Sequence, residues 1–528
     1  MPESRSWWRD AVIYQIYPRS FCDASGDGVG DLAGVESRLD HLCWLGVDAL
    51  WLSPIFPSPG VDGGYDVADY CDIDPVFGDL AAFDRLVTAA HARGLRILLD
   101  WVPNHTSDRH AWFQSSRLDP AGPHAHWYWW ADRPMNNWPS AFGGSAWTFD
   151  EVRGQYFLHL FTPAQPDLNW NDPGVQEAML DTLRFWLDRG VDGFRADVVH
   201  LVGRDPALKD VTLRAEPGRN DLVNSYRDPR THELLRDVRL LLDSYPGERV
   251  MVGEVSLERT ADIVSYLGTA DHPELQLVFD FSLLAAPWDA DIWRACIVDA
   301  EEAHSATKSC PTWVLSSHDA SRHRTRYGGS AGVARVAAVV LLTLRGTPFL
   351  YAGEELGLQD AEVAPEHALD PLGRDPSRAP IPWTIAEPHG WAGDQPRLPW
   401  PPDPALHNPQ AQLVDQGSIL WLYRLVIQLR QRTPALVHGD LELLASPSET
   451  LAYRRSLPHS TDGAVTVIAN FASSDRTVPC DGVVVLASSA PQAAGASMQV
   501  NCGHIVLAPL TAVVVSDATV VPRSVAVG

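Results

Sequence analysis

The chain has 528 residues, 45% of them hydrophobic, and carries 41 Lys plus Arg against 67 Asp plus Glu, a formal net charge of −26. That length calls for two or three domains, and the apolar share is ordinary for a globular protein with a large core. The acidic balance disfavours nucleic acid and anionic membrane as partners and fits neutral or cationic ligands. Twenty Trp is an unusual number, and Trp is favoured where a flat apolar surface stacks on a ligand. No uninterrupted apolar run spans a bilayer, and the N-terminus enters Trp7-Trp8-Arg9-Asp10 without a basic segment followed by an apolar core. Seven Cys, an odd count without CxxC or Cys/His metal spacing, read as buried free thiols in a reducing compartment. The expected location is the cytoplasm.

A repeat of pattern organises the first four-fifths of the chain. Residues 35–45 have helical spacing, Gly46 follows, and 47–52 is an apolar strand-like run. Residues 80–93, Gly94 and 95–99 repeat this, and so do 174–189, Gly190 and 191–196. Glycine after a helix supplies the left-handed residue that turns the chain back. Strands apolar on both faces belong in a parallel sheet covered by helices. The spacing predicts strands at 11–16, 48–52, 95–99, 191–196, 249–253, 277–281, 312–316 and 348–351. Eight strands with intervening helices make a (β/α)8 barrel the leading α/β fold, with active groups at the strand C-terminal ends. An open doubly wound sheet is the alternative, but no Gly-rich phosphate loop follows the first strand.

Two regions break the repeat. Residues 104–165, rich in Trp, Pro, Gly and His, read as a subdomain inserted after the third strand; residues 358–404 read as a long Pro-rich loop after the eighth. A last barrel helix is predicted over about 418–432. Beyond it short strands alternate with turns (464–468, 483–486, 512–515), the pattern of a small all-β sandwich domain. The domains are then 1–103 with 166–435 (barrel), 104–165 (insertion) and 436–528 (β-sandwich).

Carboxylates stand at several predicted strand ends: Asp100 on the third, Asp197 on the fourth, Glu254 on the fifth, and Asp319 after His318 on the seventh. In one barrel these must converge on one pocket. Arg195, two residues before Asp197 on a strand, shares its face and would hold the carboxylate ionised. Two carboxylates in different environments suit glycoside cleavage, one attacking the anomeric carbon and the other protonating the leaving oxygen.

Asp100-Trp-Val-Pro-Asn104-His105, Gly193-Phe-Arg195-Ala-Asp197, Gly253-Glu254-Val255 and His318-Asp319 resemble the four conserved regions of the α-amylase family, glycoside hydrolase family 13. Gln165-Pro-Asp167-Leu-Asn-Trp170 resembles the further signature of its α-glucosidase and oligo-1,6-glucosidase branch. The resemblance implies Asp197 as nucleophile, Glu254 as general acid/base and Asp319 as the transition-state-stabilising carboxylate, with Arg195 orienting the nucleophile. It implies His105 and His318 as hydroxyl-binding groups and Tyr65 as the ring under the cleaved glucose. Asp62 and Arg374 match the pair that closes the pocket in exo-acting members, and Phe142, Phe161 and Gln165 are expected to line the same cavity. Val198 resembles the residue associated with α-1,6 cleavage, where α-1,4-specific relatives often carry Ala or Thr. Ser317, Ala320-Ser321, Ala379 and Ile381 depart from common family residues at the pocket edges.

Asp23, Ser25, Asp27, Val29 and Asp31 alternate around glycines, an EF-hand-like spacing for a hard cation. The family counterpart often binds calcium or magnesium through such side chains and a backbone carbonyl, here that of Val29. Ser25 in place of Asn is a weaker ligand, and a tight turn without metal is the other reading. No organic cofactor is implied. The leading expectation is therefore an exo-acting retaining α-glucosidase releasing glucose from short α-glucosides of maltose, isomaltose or sucrose type. The alternatives are a transglucosylase or sugar isomerase (sucrose, trehalose or maltose type) using the same intermediate, and a non-catalytic relative. The expected partner is a small α-glucoside, with neither nucleic acid nor membrane; the sequence leaves oligomeric state open.

Overall fold

In a computed structural model, which describes residues 6–212, 227–393, 395–460, 463–491 and 503–517, each helix-to-strand unit becomes one step of a parallel barrel. Its strands are β1 (Ile13–Ile16), β2 (Ala49–Leu52), β3 (Arg96–Trp101), β4 (Gly193–Ala196), β5 (Val250–Gly253), β6 (Leu277–Val278), β7 (Thr312–Val314) and β8 (Thr347–Tyr351). They pair in the order β7-β8-β1-β2-β3-β4-β5-β6, and a parallel bridge between Asp280 and Trp313 joins the two edges. The expected (β/α)8 barrel is thus observed. Several strands are shorter than the apolar runs suggest, because the flanking residues leave the ladder to enter loops. β3 is instead longer, carrying its pairing through Asp100 and Trp101.

Alternation along these strands divides the core. Ile13, Ala49, Trp51, Leu98, Val250, Val252, Leu277 and Phe349 fill the barrel interior, while Tyr14, Leu50, Leu99, Phe194 and Met251 pack outward under the helices. Helix starts follow capping chemistry: the Asp79 carboxylate accepts from Ala82 N at 2.7 Å at the start of Leu80–His91. Asp172 does the same for Gly174 at 2.8 Å ahead of Pro173–Asp188. The single helix expected over 35–45 is two, Leu32–Ser37 and Leu39–Leu45, broken at Arg38. Arg38 is drawn out of helical geometry because its guanidinium bonds Gly390 O at 2.9 Å and lies 4.7 Å over the Trp383 ring. Gly46 closes the second helix at φ 98°, the conformation expected of it.

The insertion holds the helix Ala111–Leu118 and a small antiparallel sheet of Trp130–Ala131, Gln155–Leu158 and Trp147–Asp150. At the C-terminus Asp440–Leu443, Thr450–Ser456, Val465–Asn470, Ala512–Ser516 and Val483–Ala487 form a five-stranded antiparallel sheet, with Arg476–Pro479 and His504–Leu507 paired beside it. Ile468, Val484 and Val513 of the larger sheet meet Val478, Ile505 and Leu507 of the smaller in one core, so the unit is a sandwich. The other face, with Tyr453, Val467 and Val514, joins the barrel's outer core. Residues 518–528 of the expected C-terminal domain, and Cys502, lie outside the described residues. The other six cysteines are free; Cys22 and Cys480 are buried and the remaining four half-buried, less buried than the sequence suggests. Among the described residues no helix is long and apolar enough to cross a membrane.

Buried arginines tie the layers together. Arg430, on the helix Ile419–Arg432, donates to Leu342 O and Leu344 O at 3.1 Å and also to Gly346 O. Arg455, on the C-terminal sheet, donates to Thr343 O at 2.7 Å and Gly439 O at 2.9 Å. Both cations sit on the carbonyl end of the helix Ala331–Thr343, where the helix dipole favours them. Replacing Arg430 with Met should strand three buried carbonyls and cost about 3 kcal/mol. Calorimetry should therefore show a clearly lower Tm, with activity per folded molecule unchanged.

Candidate active site

Strand register assembles the site. Arg195 on β4 pairs with Asp100 on β3, and Ala196 pairs with Gly253 on β5. Asp197 and Glu254 are thus the first residues beyond two neighbouring strands. Their N–H groups remain tied to the barrel, Asp197 N to Trp101 O at 2.8 Å and Glu254 N to Ala196 O at 2.9 Å. Arg195 Nη1 lies 2.6 Å from Asp100 Oδ1 and 2.6 Å from Asp197 Oδ1, while its Nη2 donates to Glu254 Oε2. One buried guanidinium therefore holds three carboxylates. Burial, then Glu254, Asp100 and Asp319, push the Asp197 carboxyl up against the pull of Arg195.

Asp319 sits in the opposite environment. Its Oδ2 is 2.9 Å from His318 Nε2; its Oδ1 accepts from Arg374 Nη1 at 2.9 Å and Arg378 Nη2 at 3.0 Å. Burial works to raise this carboxyl, but His318, Arg378 and Arg374 hold it well below the usual carboxylate range. Its side chain is 38% exposed, so the ion pairs rather than burial set the direction. His318 is stacked between Tyr65 (5.4 Å, 9°) and Tyr17 (5.8 Å, 13°). Gln15 Nε2 meets its Nδ1 at 2.6 Å, which assigns the proton to Nε2, facing Asp319 and the Tyr65 hydroxyl.

The third wall comes from the insertion's return to the barrel. A bridge pairs His105 with Asp167, and Leu168 N donates to Asn104 O at 2.9 Å, setting Gln165 beside His105. Gln165 Nε2 donates to Asp62 Oδ2 at 3.0 Å and lies 3.1 Å from His105 Nε2. Burial pushes the His105 imidazole down to about 4, so it is neutral at pH 7. The Phe161 ring is 5.0 Å from that of His105. Arg374 reaches across from the long loop after β8 and pairs with Asp62 Oδ1. Asp62, Tyr65, His105, Phe161, Gln165, Arg195, His318 and Arg374 are thus gathered around Asp197, Glu254 and Asp319. Phe142 is half-buried and is joined to this group through Ser140, whose hydroxyl accepts from Phe142 N at 3.0 Å and donates to Phe161 O at 2.7 Å.

Other members escape the motifs. Gln15 on β1 and Tyr17 just after it frame His318. Buried Arg204 bonds Asn104 Oδ1 at 2.7 Å and pairs with Asp167 Oδ2 at 2.7 Å, fixing both sides of the His105–Asp167 bridge. Only an arginine in the stretch after Asp197 signals it in sequence. Val198 adopts φ 35°, ψ 41°, a left-handed conformation rare for a β-branched residue. That turn brings its N–H to 3.3 Å from Glu254 Oε2.

In the loop after β1, the side chains that the sequence spacing offers to a cation also bond amides and one another. Asp23 Oδ1 accepts from Gly26 N at 2.6 Å and its Oδ2 from Gly28 N at 2.9 Å; the Ser25 hydroxyl is turned onto Asp23 Oδ1 at 3.2 Å. Asp31 Oδ2 accepts from Ala24 N and Ser25 N, its Oδ1 caps the next helix at Gly34 N, and Asp27 accepts from Val29 N. Asp23, Asp27 and Asp31 thus each accept from at least one backbone amide.

Similarity to known proteins agrees with this geometry. The family described as alpha amylase, catalytic domain, matches residues 15–439. The chain is 40% identical over 486 residues to a probable alpha-glucosidase of Rhizobium meliloti, covering 86% of this chain and 87% of that one. It is 34% identical over 517 residues to an oligo-1,6-glucosidase of Parageobacillus thermoglucosidasius, covering 88% and 91%. Among solved structures, the alpha-glucosyl transfer enzyme XgtA superposes with TM-score 0.89 at 39% identity, covering 98% of this chain and 100% of that one. With the fold, the carboxylate cluster and these matches in agreement, the chain belongs to the α-amylase family, glycoside hydrolase family 13, in its α-glucosidase and oligo-1,6-glucosidase branch.

Proposed function

We propose that the protein is an exo-acting retaining α-glucosidase that releases glucose from the non-reducing end of short α-glucosides. The observation that carries this reading is the Arg374–Asp62 pair, backed by Gln165 and His105, which walls the pocket behind the carboxylates. Such a pocket admits one terminal glucose and not the interior of a polymer. Asp197 attacks the anomeric carbon as the bond to the leaving oxygen breaks, and the Glu254 proton passes to that oxygen. The Glu254 carboxylate then takes a proton from water, whose oxygen replaces Asp197 on the same carbon and restores both groups. Asp319, held ionised, lies where it stabilises the positive charge that develops on the sugar. Val198 after the nucleophile supports tolerance of α-1,6 as well as α-1,4 linkages. Six free thiols support a reducing, cytoplasmic setting.

A second reading has a specific support. A solved relative of this fold is an alpha-glucosyl transfer enzyme at 39% identity, and a sugar hydroxyl in place of water in the second step gives transglucosylation or isomerisation with the same groups. Product analysis on maltose, isomaltose, sucrose and trehalose separates the two. Free glucose from maltose and isomaltose, with soluble starch cleaved poorly, is the expected result. A rapid fall in starch viscosity with oligomers as first products would show an open cleft and dismiss the exo reading.

Asp197→Asn should lower kcat roughly 10³-fold or more with folding intact, since a neutral amide cannot form the glycosyl ester. NMR of fresh product from the wild type should show the α-anomer first; the β-anomer would rule out the two-step route. Glu254→Gln should retain far more activity on activated aryl glucosides than on disaccharides, because a good leaving group needs no proton. Equal losses on both would contradict that role. For the loop over 23–31, a cation held by Asp23, Ser25, Asp27, Asp31 and the Val29 carbonyl should raise Tm when calcium is added and lower it on chelation; a Tm that moves with neither would leave a tight turn without metal.

A further inference from the structure

Asp370, buried on the long loop after β8, lies at the centre of the wall that closes the pocket. Its Oδ2 accepts from the backbone N–H of Leu372 at 3.1 Å and of Arg374 at 2.8 Å, a turn in which the carboxylate caps its own loop. The Arg374 side chain then folds back on the same group: Nε lies 3.1 Å from both carboxylate oxygens, and Nη2 is 2.5 Å from Oδ1. Arg378 Nη1 approaches that Oδ1 at 3.4 Å. The turn is itself held from below, since the buried Asp375 accepts from the N–H groups of Leu369 and Asp370 at 2.6 and 2.9 Å. Held this way, Arg374 has one donor for each function: Nη2, already on Asp370, also bonds Asp62, and Nη1 bonds Asp319.

We infer that Asp370 is a positioning residue, aiming Arg374 so that closure of the pocket at Asp62 and alignment of Asp319 are one event. The inference rests on the α-glucosidase reading above. An ionised carboxylate is required by donor counting: it has two oxygens, and every group facing them is an N–H donor. An asparagine offers one oxygen, and its own N–H2 would face a guanidinium. The charge matters as well, because Asp370 separates Arg374 from Arg378, two cations that both reach Asp319. Without it they repel, and Arg374 is free to swing away from Asp62.

The test uses the full-length protein carrying Asp370→Asn, Asp62→Ala or both, assayed on an aryl α-glucoside and maltose, with glucose as competing product. Asp370→Asn should raise KM and the glucose inhibition constant about tenfold and also lower kcat about tenfold, one effect through each arm of Arg374. Asp62→Ala should change mainly KM. In that background Asp370→Asn should lower kcat again but no longer raise KM, since the binding arm is already cut. A loss of folding alone would reduce the fraction of active enzyme and leave KM and the inhibition constant where they are. KM and kcat within twofold of wild type in folded Asp370→Asn would overturn the inference while leaving the α-glucosidase reading intact. Wild type inert on every α-glucoside would overturn both. Should Asp370→Asn not fold, Arg374→Lys replaces it: a point cation cannot bridge Asp62 and Asp319 together, so the same paired change is expected and its absence counts against the inference.

Discussion

The active site depends on one buried cation among an excess of anions. The Arg195 side chain is 3% exposed and is paired with Asp100, Asp197 and Glu254. Three carboxyl groups around one guanidinium outnumber it in a place where charge is costly. Neutral donors carry part of that load: Trp51 Nε1 at 3.0 Å and the Tyr65 hydroxyl at 3.2 Å bond Asp100 Oδ2, and Val198 N approaches Glu254. The rest is not cancelled. Burial pushes Asp100 up, and burial followed by neighbouring carboxylates pushes Asp197 up, both against Arg195. A pocket held in that condition is a poor match for a neutral sugar and a good one for a sugar ring that becomes positive at its anomeric carbon, which is the selectivity catalysis requires.

On the other flank the balance reverses. Asp319 meets two arginines and a histidine and stays ionised. The protein thus separates its carboxylates by environment: those on adjacent strands share one cation and compete for it, and the one on the far strand meets two arginines and a histidine. The separation follows from topology. β4 and β5 are neighbours, whereas Asp319 follows β7 and receives its arginines from the loop after β8.

Much of this was legible because barrels put local signals to global use. Continuous apolar runs ending in Asp or Glu identify strand ends, and the barrel rule makes such ends converge. Asp100, Arg195, Asp197 and Glu254 follow from that logic alone. His318 between Tyr17 and Tyr65 does not, because the stack joins residues from three separate strands' loops. Asp62 and Arg374 are 312 residues apart, and only a family resemblance pairs them. The loop over 23–31 is legible only as a spacing: alternating oxygens and glycines suit a cation loop and Asx turns alike, and its carboxylates bond amides. Arg38 and Arg204 went unread for a related reason: an arginine carries no periodicity, and its worth lies in which carbonyl or carboxylate a distant segment presents.

The division of labour between strands and loops also explains how one active centre supports different products. Asp197, Arg195 and Glu254 are fixed by strand register, where a slip of one residue would turn every side chain to the other face. The groups that wall the pocket stand on connections: Asp62 after β2, Gln165 and Phe161 at the end of the insertion, Arg374 beyond β8. Loops tolerate insertion and substitution that strands do not. Chemistry and selectivity can therefore change separately, except where a loop residue touches both. Arg374 is such a residue, because its guanidinium joins the closing wall to Asp319. A substitution that widens this pocket at Asp62 alone leaves the reacting groups in place. One that moves Arg374 alters binding and reaction together, so the pocket's depth is constrained by the chemistry as well as by the size of the sugar.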